Sequence, residues 1–229
     1  MRLALLLSLL PTLALAQGIQ LKDGSSTSLA QIQVPGSGAN TSPALLVRPA
    51  PKSTYRAATT GANAGQVVVA ASAAPFFCLQ GSATKTVAVQ RIYLSGANLT
   101  AVAYASYVVQ KYSTAVTAGT ATALTAVPLD SNSAASTASL VNVYTAAPTA
   151  GTLVGAVAAK KTLLQATTAA AGGVPDVIDF DWRTQGENGP VILRGTAQGL
   201  CVLFGAAPAS AVTLALAVEW TEYAITLEP

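Results

Sequence analysis

The chain has 229 residues, of which 52% are hydrophobic and only 9% are charged. That length allows one large domain or two small ones with a well-buried core. The charged share lies far below the roughly 25% of ordinary soluble domains. The net charge is +3, and Lys and Arg are scattered singly apart from Lys160-Lys161. With no basic stripe to neutralise phosphates, we expect no nucleic-acid partner.

The chain contains no histidine. Without an imidazole there is no base for a Ser-His or Cys-His triad and no histidine ligand for zinc. No phosphate-binding glycine motif occurs either. We therefore expect no cofactor, no catalytic residues and a function other than enzymatic.

Residues 1–16 have the pattern of a secretory signal peptide. Met1-Arg2 is a short basic start, an apolar run extends from Leu3 to Leu15, and Ala14-Leu15-Ala16 fits a cleavage site before Gln17. The run is shorter than the about 20 apolar residues that a membrane-spanning helix needs, so we expect no stable membrane span. Two outcomes stay open: the segment is removed on export, or it stays and packs against a partner.

Residues 17–60 are predicted to form an extended arm with short strands. Turn-forming residues recur throughout this stretch, and only short apolar pieces interrupt them: Ile19 to Leu21, Leu29 to Val34 and Leu45 to Val47.

Residues 61–229 are predicted to form the main domain, because strand patterns alternate there with turns of small residues. Val212 to Thr221 alternates with a period of two, and Val177 to Trp182 places Ile178, Phe180 and Trp182 opposite Asp179 and Asp181. Further stretches have strand composition: Gln66 to Ala70, Thr86 to Leu94, Leu99 to Tyr112, Leu140 to Tyr144, Val191 to Leu193 and Leu200 to Phe204.

Residues 151–171 are ambiguous between helix and strand. The alanines with Leu153, Val157 and Leu164 suit an amphipathic helix that ends at Gly172-Gly173. Several threonines and Val154 favour a strand, and we assign one. About eight strands without alternating long helices then predict an all-β fold, an antiparallel, jelly-roll-like β-sandwich with an extended N-terminal arm.

Three aspartates, Asp176, Asp179 and Asp181, lie within six residues. The last two share one face of a predicted strand about 7 Å apart. They are weak candidates for a Ca²⁺ site or for the carboxylate pair of a glycosidase. A solvated outer face explains them more simply, so we assign no metal site. Glu219 and Glu222 invite the same interpretation, but they point to opposite faces if their strand continues. Pairing of Arg183 or Arg194 with one of these acids is the simpler explanation.

Two cysteines, Cys78 and Cys201, both lie in apolar runs. They are either buried free thiols or, if the chain is exported, a disulfide. A reactive thiol is not expected, because no charged neighbour lowers the pKa of either cysteine.

Several segments occur together in a characteristic order. They are Leu21-Lys22-Asp23-Gly24, Tyr55-Arg56-Ala57-Ala58, residues 119–132, residues 143–155, residues 191–200 and Val218-Glu219-Trp220-Thr221-Glu222. In these segments the chain resembles a group of uncharacterised tailed-bacteriophage virion proteins, over most of residues 19–223. The signal-like segment of residues 1–16 is a departure, because such a segment is unusual in a capsid component.

The resemblance implies a virion structural protein, either a capsid decoration (cement) protein or a head or tail fibre subunit. Its expected partners are other copies of itself, in a trimer, and the major capsid or tail proteins. The alternative is an exported bacterial β-protein, secreted or at the cell surface, that forms a surface layer or fibre or binds glycans. That alternative accounts for the leader and for a disulfide.

Overall fold

The computed structural model describes residues 52–60, 67–100, 102–166, 176–183 and 189–224. The predictions for the signal-like residues 1–16 and for the arm up to residue 51 lie outside these described residues. In this part of the chain every regular element is a β-strand, and the strands number thirteen. They are β1 (Ser53–Ala58), β2 (Val67–Val69), β3 (Pro75–Gln80), β4 (Lys85–Asn98), β5 (Ala103–Tyr112), β6 (Thr120–Ala123), β7 (Val127–Pro128), β8 (Leu140–Ala146), β9 (Leu153–Leu164), β10 (Val177–Asp181), β11 (Val191–Leu193), β12 (Gly199–Phe204) and β13 (Val212–Ala224).

The strands form two antiparallel sheets. The seven-stranded sheet has the order β10-β4-β13-β1-β7, with β11 also paired to β4 and β2 to β13. The six-stranded sheet has the order β6-β8-β3-β12-β5-β9. Between them lies one main apolar core with side chains from both sheets. The predicted antiparallel β-sandwich is confirmed.

Aromatic rings from each sheet fill the centre of this core. Tyr55 and Trp220, on neighbouring strands of the seven-stranded sheet, stack with ring centroids 5.8 Å apart. On the six-stranded sheet, Phe76, Tyr107 and Phe204 pack against one another at 4.8–6.1 Å. Large buried rings remove much apolar area from water, which compensates for the many alanines elsewhere.

Two sequence assignments agree closely with the structure. Within the ambiguous stretch, residues 153–164 form strand β9, which pairs along β5 instead of coiling into a helix. Residues 167–171 of that stretch lie outside the described part of the chain. In β10, Ile178 and Phe180 are buried, as is Trp182 just after it, and Asp179 and Asp181 lie on the opposite face.

The sandwich also contains strands that the sequence analysis does not identify. Residues 53–58, assigned there to the arm, form β1, which pairs with β13 and β7 inside the seven-stranded sheet. The sandwich therefore includes strand residues before the boundary predicted at residue 60. Strand β3 is buried on both faces and so shows no alternation, and β6 and β7 have only four and two residues.

Among the described residues, no helix is long and apolar enough to cross a membrane.

Two glycines in strands predict opposite responses to a methyl group. A Cβ on Gly96 of β4 would lie 2.3 Å from the Thr213 carbonyl oxygen and 2.6 Å from a Leu214 methyl, whereas a Cβ on Gly155 of β9 would meet nothing within 4 Å. We expect Gly96→Ala to lower the free energy of unfolding by about 1–3 kcal/mol through overpacking. The control Gly155→Ala should leave it unchanged or slightly raised. Urea unfolding of both variants measures this, and equal effects would contradict the packing at Gly96.

Candidate functional site

A row of alternating charges crosses the outer face of the seven-stranded sheet. Asp181 of β10 lies opposite Arg91 of β4, Arg91 opposite Glu219 of β13, and Glu219 opposite Arg56 of β1. We call these four residues the charge ladder. Each occupies an outward position of its strand, so the antiparallel register alone brings four sequence-distant charges into one line.

Ion pairs connect the ladder and two flanking residues, Asp179 and Arg183. Arg91 donates to both carboxylate oxygens of Asp179, at 2.8 and 2.6 Å. Arg183 reaches Asp181 at 2.8 Å and Glu219 at 3.3 Å, and Arg56 reaches the other oxygen of Glu219 at 3.0 Å. Three cations and three anions thus balance one another on this face.

The pairing shifts several pKa values. The side-chain hydrogen bond from Arg183 lowers the pKa of Asp181 to about 2. The hydrogen bond to Asp179 raises the pKa of Arg91, and that to Asp181 raises the pKa of Arg183. These groups therefore keep their charges at any pH near neutrality.

The structure does not bring the three candidate aspartates together as one set. Asp179 and Asp181 both contact Arg91, but the carboxylate of Asp176 accepts a hydrogen bond from the Thr162 hydroxyl of β9. No group of three or more potential metal-binding side chains occurs among the described residues. A glycosidase acid also needs a raised pKa, and the pKa of Asp181 is lowered.

A groove of about 340 Å³ lies beside these aspartates, lined by Ala158, Lys160, Phe180 and Trp182 among others. Sugar recognition commonly uses an exposed aromatic face. Phe180 and Trp182 are only 3% and 7% exposed, and the Lys160 ammonium lies 5.5 Å from the centre of the Phe180 ring. The two rings thus serve mainly as core.

A buried carboxylate, Glu222 of β13, fixes the segment between β7 and β8. It accepts hydrogen bonds from the Ser136 hydroxyl at 2.5 Å, from the amide and hydroxyl of Thr137 at 3.0 and 2.8 Å, and from the Trp220 indole at 3.0 Å. Lys85 lies 3.6 Å away. With the Ala138 amide at 3.3 Å, five hydrogen-bond donors besides Lys85 converge on a side chain that is 0% exposed.

Burial by itself raises the pKa of Glu222, but the hydrogen bonds from Ser136, Trp220 and Thr137 outweigh it and hold the pKa below its usual value. The carboxylate is therefore ionised in the folded protein, and its donors keep the crossing between the two sheets in place.

The structure joins Cys78 of β3 and Cys201 of β12 in a disulfide. The two residues lie directly opposite each other in register. Since their neighbours Phe77 and Leu79 point into the main core, the bond lies on the outer face of the six-stranded sheet. Tyr112, Val116 and Tyr144 cover it in a second, smaller apolar cluster, and both sulfur-bearing residues are buried.

Large apolar side chains are exposed at several separate places on the described surface. They include Val68, Val102, Tyr104, Val127, Leu129, Leu153, Val154 and Val177. Three of these lie on the edge strands β7 and β9. Exposed apolar groups with few charges among them are inexpensive to desolvate, which suits protein contacts.

Sequence reasoning identifies Asp179, Asp181 and the pairing role of Arg183, because all lie in one short segment. It also names Glu219 as a possible partner of Arg183, and the structure pairs the two at 3.3 Å. It misses Arg56 and Arg91, because only the strand order brings these residues to the acids. The available signal is a charge at an outward position of β1, β4 and β13, strands whose other outward positions near it are uncharged. Glu222 lies two residues after Trp220, so the two side chains share the inward face of β13. This spacing predicts a buried carboxylate only when the buried face of the strand is known.

Comparisons of the chain with protein-family models, with curated proteins and with solved structures find no match.

Replacing Glu222 tests the buried carboxylate. We expect Glu222→Gln to lower the free energy of unfolding by about 2–4 kcal/mol at neutral pH, since several charge-assisted hydrogen bonds weaken and one buried oxygen becomes an amide donor. A depressed pKa contributes stability that is present above the unfolded pKa of about 4.3 and is lost as pH falls below it. The variant should therefore lose less stability than the unmodified protein on acidification.

Denaturant unfolding between neutral and strongly acidic pH measures this difference. The control is Asp130→Asn, in an exposed turn where Asp130 accepts one hydrogen bond from the Asn132 amide. Parallel pH profiles for the unmodified protein and Glu222→Gln would contradict the assigned role of Glu222.

The disulfide predicts a specific thiol count. Protein purified from its natural producer should show no reactive thiol, either native or in denaturant, and two after reduction, since both cysteines of the chain are paired. We expect the Cys78→Ala, Cys201→Ala double variant to lose about 2–5 kcal/mol of unfolding free energy. Thiol labelling followed by mass spectrometry counts the free thiols, and urea unfolding measures the stability of the double variant. Free thiols in unreduced, unfolded protein would contradict the disulfide.

Proposed function

We propose that this chain is a non-enzymatic structural subunit of a virion, a capsid decoration protein or a fibre subunit that assembles through its β-rich surfaces. The observation that carries the proposal is the surface of the sandwich. Its exposed part bears separate large apolar side chains, while six of the charged residues neutralise one another on a single face.

Such a surface favours permanent contacts for a physical reason. A subunit that is covered by neighbours must give up the hydration of its surface, and that cost rises steeply with unpaired charge. Ala and Val lose little on desolvation, and the hydroxyls of Thr and Ser lose much less than an ion does. The exposed Leu129, Leu153 and Val154 gain by being covered.

Strand pairing with neighbouring chains extends the same proposal. Edge strand β9 has twelve residues, and no described strand pairs with its outer side. Register shifts near Val109 and Lys111 of β5 interrupt the regular hydrogen-bonded pairing of β5 with β9. Lys160 and Lys161 lie in the second half of β9. Bulges and lysines at an edge discourage unselective pairing. The edge is thus suited to one defined neighbour, such as a strand of the predicted arm.

One observation favours the alternative of an exported bacterial β-protein. The disulfide between Cys78 and Cys201 is of a kind that persists in oxidising compartments, and residues 1–16 have the pattern of a signal peptide. In that case the same sandwich would be a subunit of a surface layer or extracellular fibre.

Fractionation of a producing culture separates these two proposals. As a virion subunit, the chain should sediment with particles in a density gradient, resist a high-salt wash, and label the head or the tail in immuno-electron microscopy. As an exported protein, it should appear at the cell surface or in the medium without particles. Its intact mass should then be that of a chain whose first residue is Gln17. A culture with the gene's start codon removed is the control. A soluble cytoplasmic chain free of particles would contradict both.

A further inference from the structure

We infer that the outer face of the seven-stranded sheet binds the same face of a second copy of this chain, across a twofold axis parallel to the strands. This deepens the proposed function, on which it rests, by naming the partner of one of its surfaces. The contact centres on the charge ladder.

The order of signs in the ladder is complementary to itself. Across the sheet the residues run Asp181, Arg91, Glu219, Arg56, that is, negative, positive, negative, positive. A twofold axis that passes between β4 and β13, parallel to the strands, reverses this order in the facing copy. Asp181 then meets Arg56 of the second copy, and Arg91 meets its Glu219, so each of the four ladder charges faces an opposite one. The two flanking charges, Asp179 and Arg183, stay paired within their own chain. Complementary charges set the register of a contact and exclude other registers.

The next row of the same face is complementary in size. It consists of Asp179, Tyr93, Ala217 and Ala58, which are opposite one another in register. The same twofold axis places the Tyr93 ring over Ala217 of the second copy. A large side chain thus meets a small one, which allows two sheet faces to pack closely.

The apolar margin supplies the contact area. Val177 of β10 and Val127 of β7 are 61% and 55% exposed at opposite sides of this face, and Ala58 is exposed between them. An apolar groove of about 340 Å³ floored by Ala215 and Ala217 lies beside Val177. Isologous contacts of this kind bury each residue twice, once in each copy.

A twofold contact on this face makes dimers. The trimer expected from the sequence would need a different surface, so the two assemblies are distinguishable in solution. Arg56, Arg91 and Asp181 remain partly exposed before contact, whereas the Glu219 side chain is only 9% exposed. Salt should therefore weaken the dimer mainly through the pairs of Asp181 with Arg56.

A charge-swap experiment tests the inference with the full chain. In Asp181→Arg, the new arginine faces Arg56 of an identical copy, and in Arg56→Asp, the new aspartate faces Asp181. Each variant alone thus acquires two like-charge pairs per dimer, and we expect its dimer to weaken by about a hundredfold. In an equal mixture of the two variants every facing pair is again of opposite sign. Sedimentation velocity should show dimers of the unmodified protein, monomers of each variant and restored dimers in the mixture.

Restoration by mixing is decisive because each variant also loses ion pairs within its own chain, which mixing does not repair. The control Lys161→Asp reverses a charge on the six-stranded sheet, where Lys161 lies over the Tyr104 ring, and should leave the dimer intact. Circular dichroism confirms that each variant is folded.

Three results would overturn the inference: a monomeric unmodified protein, variants that associate like the unmodified protein, or a mixture that stays monomeric. A trimer that forms equally well from the unmodified protein and from both variants would also overturn the inference. If the protein still sediments with particles in any of these cases, the proposed function stands and only this contact is wrong.

Discussion

The pairing of β4 with β13 is the interaction on which the sandwich depends. The two strands run antiparallel from Val212 opposite Asn98 to Ala224 opposite Lys85. Strands β10 and β11 attach to the free side of β4, and β1 and β2 attach to the free side of β13. Without this central pair the flanking strands, most of them three to six residues long, have no template. Their register, and with it the position of every outward charge, follows from this pairing.

Only 9% of the residues are charged, and the ion pairs near the central strands are confined to a few places. On and beside β4 and β13, ion pairs form in two places. One is the charge ladder on the outer face, and the other is the pair of Lys85 with the buried Glu222 on the inward side of β13. Arg56, Arg91 and Asp181 of the ladder are partly exposed, so the ion pairs between exposed partners contribute little to folding stability. Glu222 is buried and fully hydrogen-bonded, so it fixes the segment from Ser136 to Ala138 against β13. The first arrangement is suited to recognition and the second to stability.

The sequence predicts the fold class because a period of two is visible wherever one face of a strand is solvated, as in Val177 to Trp182 and in β13. It does not reveal β3, which is buried on both faces, or β1, which follows a proline-rich stretch. Within the candidate site it identifies Asp179 and Asp181 from their spacing. Their partners come from β4, β13 and β1, and no local pattern specifies which strands become neighbours. Whether Cys78 and Cys201 meet likewise depends on the pairing of β3 with β12.

We propose that this sandwich is a subunit whose surface is covered by neighbouring chains. A cryo-electron microscopy reconstruction of the native assembly tests it most directly. The reconstruction should show many copies in regular contact, with the ladder face and the exposed residues Val127, Leu129, Leu153 and Val154 buried between chains. A reconstruction or purification that shows a single isolated copy, with those faces open to solvent, would contradict it.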